Sequence, residues 1–130
     1  MEIKATFLCE NVIIDSRNNQ MSLINLHEDE LKPLGYPYVF NSIDFVALIE
    51  KEASEPNSYQ GTLAISLNGN SIINSPVNID FMNSNRHRAI FDLKGFMIKE
   101  PGDLSFKIEI SGIQLVIEKR IELLPIINFR

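Results

Sequence analysis

The chain has 130 residues, a net charge of −5 and an isoelectric point near 5.0, with 45% hydrophobic and 22% charged residues. That is the size and balance of one globular domain over residues 1–130, and such a chain can bury roughly two thirds of its unfolded surface without a metal or disulfide staple. The acidic balance argues against nucleic acid and anionic membranes as partners, since both are met by basic faces, and no run reaches the ~18 apolar residues of a membrane helix.

In chain order, the dominant spacing of apolar residues is two, the period of a strand with one face on a core and one in water. Met1–Ala5 shows no charged segment leading into an apolar run, so no secretory leader is expected and the cytoplasm is the expected location. Cys9, the single cysteine, ends the apolar run Ala5-Thr6-Phe7-Leu8-Cys9 and is expected to be a buried free thiol. The alternation around it changes phase near Glu10-Asn11, which predicts a bulge. Ser16-Arg17-Asn18-Asn19 reads as a hairpin loop, and the polar stretches His27–Pro37 and Lys51–Tyr59 as crossings between sheets.

Leu63, Ile65 and Leu67 are apolar, with polar Thr62 and Ser66 on the other face, up to Asn68-Gly69, whose tolerance of positive φ suits a type I′ hairpin turn. Pro76 cannot donate to a ladder, so its strand is predicted at an edge or interrupted. Arg86-His87-Arg88, the only basic cluster, reads as a solvated loop. Pro101-Gly102-Asp103 and Ser111-Gly112 bracket a further alternating run. Eight strands are predicted, at about 3–14, 20–27, 38–50, 60–67, 71–82, 88–94, 103–111 and 113–123. The fold class is therefore all-β, a two-sheet antiparallel sandwich, since long crossings fit poorly with an up-and-down barrel. Phe45, Phe81, Phe91 and Phe106 fall on the inward faces.

Little in the chain carries chemistry. His27-Glu28-Asp29-Glu30 offers four potential ligands, but neighbours on an extended segment point to opposite sides, and a catalytic zinc needs three. His87, the only other histidine, has no ligand-spaced neighbour, so no metal is expected. No Gly-x-Ser-x-Gly elbow and no phosphate-cradling glycine loop occurs, so neither a catalytic residue nor a cofactor site is assigned.

Two segments stand out as candidate interfaces. Tyr36-Pro37-Tyr38 places two tyrosines beside a long loop, where they could recognise a partner or pack the loop onto the rim. Beyond Glu122 the alternation is lost, and Leu124, Ile126, Ile127 and Phe129 form an apolar tail that must be covered by the core or by another chain. The expected function is a non-catalytic binding or protein-interaction module, with a protein partner or a second copy of itself. A small hydrolase or carbohydrate-active enzyme with a loop-built site, and a structural subunit of a larger assembly, are the alternatives.

Isoleucine at 19 and asparagine at 13, against five alanines, indicate an AT-rich coding sequence and a bacterial source. Phe7-Leu8-Cys9-Glu10 with Met21-Ser22-Leu23-Ile24, and Gly102-Asp103-Leu104-Ser105-Phe106-Lys107-Ile108 with Ser111-Gly112, resemble an uncharacterised family of small bacterial domains. Asn25 departs from the glycine expected after Leu23-Ile24. The resemblance implies an immunoglobulin- or C2-like sandwich without established activity, so no functional residue is carried over.

Overall fold

The computed structural model describes residues 1–113 and 115–125. They form eleven strands and no helix: β1 (Glu2–Ile14), β2 (Met21–His27), β3 (Glu30–Leu31), β4 (Tyr38–Phe40), β5 (Ile43–Glu50), β6 (Ser58–Leu67), β7 (Asn70–Asp80), β8 (Arg86–Leu93), β9 (Phe96–Ile98), β10 (Gly102–Ile110) and β11 (Leu115–Leu123). A four-stranded sheet has the order β2-β1-β5-β8, a five-stranded sheet β3-β11-β10-β6-β7, and β4 pairs with β9. None of these sheets closes into a barrel. No helix among the described residues is long and apolar enough to cross a membrane.

The hairpins form where their turn residues stand. Asn68 and Gly69 both have positive φ, at 52° and 81°, as a type I′ turn requires. The Asn68 side chain also accepts from the amide of Asp103 and donates to the carbonyl of Pro101, tying this turn to the entry of β10. Pro76 lies in β7, which ends the five-stranded sheet, as its missing donor demands. Lys51, with its Nζ donating to the carbonyls of Glu52 and Glu55, fixes the crossing from β5 to β6.

Several expected boundaries shift. The strand predicted over 38–50 breaks at Asn41-Ser42, and its halves join different sheets. β3 and β9 add to the predicted strands, because two or three residues are too few to show a period. The expected bulge at Glu10-Asn11 is absent: β1 and β2 keep one register from Leu8↔His27 to Ile14↔Met21. The register shift lies instead between Ile3 and Ala5, against β5.

The core is shared by all three sheets. Phe45 of β5 stacks on Phe106 of β10 with centroids 5.8 Å apart, and Phe96 of β9 meets Phe106 edge-on at 6.3 Å. Phe45, Phe81 and Phe106 are buried, while Phe91 is only half-buried.

Candidate functional site

On β5 the core takes Phe45, Ala47 and Ile49, so Asp44, Val46 and Leu48 point to the other face of the four-stranded sheet. Cys9 pairs with Asp44 and lies on that outer face too. Yet Cys9 and Val46 are 0% exposed and Asp44 only 3%. Something covers them, and it is the chain's own first hairpin.

Glu10 and Asn25 make no ladder pair, and Asn25 has φ 53°. Asparagine tolerates this left-handed conformation better than most residues. Beyond this joint the arm formed by residues 11–24 bends back across the sheet. Val12 N–H donates to Asp44 Oδ2 at 2.8 Å, and Arg88 of β8 donates to the Asn19 carbonyl at 2.9 Å. Arg88 pairs with Leu48, which lies opposite Ala5, so only a folded arm can bring Asn19 to it. This bend, rather than a bulge, accounts for the phase change in β1.

Between the arm tip, the outer face and the turn before β8 lies a groove of about 800 Å³. Ile14, Leu48 and Ile90 supply apolar surface, Lys4, Arg86 and Arg88 supply positive charge, and Glu50 and Asp80 supply negative charge. Glu50 faces both Arg86 and Lys4, at 3.3 and 3.5 Å. Arg88 meets no carboxylate among the described residues; its hydrogen bonds go to Asn19. Met82, at the lip, is 81% exposed with φ 51°, and Asn83 follows at φ 63°. The Ser84 amide closes this turn on the Phe81 carbonyl at 2.9 Å. A large apolar residue held both strained and in water stands out, because neither condition stabilises the fold.

Arg86-His87-Arg88 is thus not a solvated loop but the start of β8, an edge strand. The alternation Arg86, Arg88, Ile90 against His87, Ala89, Phe91 is the signal that extends the strand. The remaining groove residues are brought together only by the arm and the turn, and no local pattern marks them.

The outer face also holds two opposed acids. Asp44 and Asp92 are direct cross-strand partners, and like charges so placed repel. Asp44 Oδ1 is buried without a hydrogen-bond partner. Burial raises the Asp44 pKa first and the Asp92 charge adds to it, partly offset by the Val12 amide and Lys94. The folded protein therefore keeps this proton at a pH where the unfolded chain has released it. Stability from this group is full in acid and falls as pH rises from the ordinary carboxylate range through the raised value. Asp44→Asn keeps an acceptor for Val12 and removes the titration. The variant should gain stability over the native protein as pH is raised from about 4 to 8, read as a growing difference in melting temperature. Parallel melting curves would exclude the raised acid.

Burial pushes the Cys9 thiol up and the imidazoles of His27 and His87 down. Cys9 pairs with Leu26 and His27 with Leu8, so thiol and imidazole occupy opposite faces of the sheet. The acidic loop after His27 is partly strand: Glu30 of β3 pairs with Glu122 of β11. Among the described residues no group of three or more His, Cys, Asp or Glu is placed to hold a metal.

Tyr36 and Tyr38 are half-buried against the core. The Tyr36 hydroxyl donates to the Leu124 carbonyl at 2.8 Å, and Tyr38 meets Phe40 edge-on at 5.0 Å. Ile126, Ile127 and Phe129 lie outside the described residues.

Fold and groove together define an all-β protein with a concave groove of mixed apolar and charged lining on one sheet. Residues 4–122 match a family of unknown function, DUF6941, and the chain belongs to that family. No curated protein and no solved structure matches the chain.

Proposed function

We propose that this chain is a non-catalytic binding module for a protein partner, built on a two-sheet sandwich of the immunoglobulin or C2 kind. The groove carries the reading, and Met82 carries it furthest. Methionine adapts its shape to a partner's apolar surface, and here it is held out at φ 51° and lines the same groove as Leu48 and Ile90. A concave site with apolar walls and a few convergent polar groups is the usual form of a binding site. The separation of Cys9 from His27 supports a non-catalytic role.

Met82→Asn tests it cleanly. Asparagine suits the left-handed turn, so the variant should fold at least as stably as the native chain. Native protein and variant are immobilised, partners are captured from the source cells, and each captured protein is purified and titrated against both. A partner that loses roughly tenfold or more in affinity, about 1.4 kcal/mol, supports the groove. Equal titrations with every partner would remove it as the site.

A further inference from the structure

We propose that the groove's partner is an extended acidic segment that adds to β8 as a further strand of the four-stranded sheet. This rests on the groove being the binding site and names what lies along β8, its wall at the sheet edge. A strand end with unpaired amides and carbonyls is a template for another strand, and proteins usually spoil their edges to prevent it.

Three of the four edges of the two larger sheets are spoiled here. β7 contains Pro76 and a register shift, β3 is two residues long, and β2 is bent at Asn25. β8 is not. Its eight residues pair with β5 from Arg86↔Glu50 to Leu93↔Ile43 without a shift, and none has positive φ. Its other side has no strand partner among the described residues.

Charge selects the occupant. Arg86, Arg88, Ile90 and Asp92 follow each other on one face of β8, with roughly 7 Å between successive side chains, and Asp92 is already paired with Lys94 at 3.5 Å. On an incoming strand the positions that match Arg86, Arg88 and Ile90 are acid, acid and apolar. Arg88 lacks a carboxylate among the described residues, and Arg86 pairs with Glu50 at 3.3 Å. In a chain of net charge −5 this basic pair on a regular edge is a local reversal. Backbone pairing gives such a complex its affinity, and the alternate side chains give it specificity.

The probe is a fluorescein-labelled peptide roughly as long as β8 whose alternate residues run aspartate, aspartate, valine, with threonine between them, followed by anisotropy at low salt. Its controls are the same peptide with lysine for aspartate, and two aspartate peptides N-methylated on alternate amides in either register. The aspartate peptide should bind and the lysine peptide should not. One of the two methylated registers should lose at least tenfold, and β8 amides should gain protection from hydrogen exchange. Arg86→Glu with Arg88→Glu should lose at least tenfold, Arg88→Gln less, and Lys107→Glu on the five-stranded sheet nothing. Binding indifferent to both methylations would overturn strand addition. So would failure of the aspartate peptide to bind while Met82→Asn still weakens a captured partner, which leaves the groove standing. If neither peptide nor partner responds to any groove variant, both readings fall.

Discussion

Phe106→Ala is expected to cost about 3–5 kcal/mol, at the upper end for a buried aromatic. The ring is 0% exposed and touches an aromatic of each other sheet, Phe45 at 5.8 Å and Phe96 at 6.3 Å. Its removal leaves a void bordered by all three sheets, and backbone ladders on every side limit how far it can close. Such a loss is a large share of the 5–15 kcal/mol that holds a typical domain folded. Phe91→Ala removes a half-buried ring at the sheet edge and should cost clearly less. Urea denaturation of the two variants measures both. Equal losses would show that Phe106 is not the point where the sheets meet.

The second large effect comes from the smallest residue. Gly61 lies in β6 beside β10, and a Cβ there would collide with the carbonyl oxygen of Glu109. The obstacle is backbone inside a paired ladder and cannot rotate away. Gly61→Val should therefore cost about 3 kcal/mol, the top of the usual range for overpacking. Gly61→Ala is the sharper experiment. In an ordinary strand alanine is better than glycine by roughly 0.5–1 kcal/mol. Here it should be worse, and an alanine variant as stable as the native protein would show that the strands do not approach so closely.

The parts of the fold legible in the sequence are those fixed by neighbours along the chain. Asn68-Gly69 specifies a turn by its own φ preferences, and the alternation of Leu104, Phe106, Ile108 and Ile110 names its buried face without knowing what covers it. Phe96-Met97-Ile98 is too short to show a period, so β9 becomes visible only through its pairing with β4. The groove is illegible for a deeper reason. Ile14, Leu48, Met82 and Arg88 share no local pattern, and the arm that gathers them depends on a bend at Asn25. Asn25 stands where a glycine is expected, and both residue types admit the left-handed conformation the bend uses. Asp44 is hidden likewise. On an alternating strand it belongs to the solvent face, and only the folded arm turns that face into a buried one.

The strand order also bears on how the chain is made. β1 finds its inner neighbour in β5 and β5 finds its own in β8, while β6 waits for β10. During synthesis the β1-β2 hairpin leaves the ribosome before β5 and β8, carrying Ile13, Ile14, Ile24 and Leu26, each at least 39% exposed even in the finished fold. Its sheet cannot be completed until Leu93 has followed. Pairings this distant along a chain are slow, because loops must close before any contact rewards them. The nascent protein therefore passes through an interval in which an apolar hairpin has no sheet to fold onto, because the arm's anchors, Asp44 of β5 and Arg88 of β8, have yet to follow.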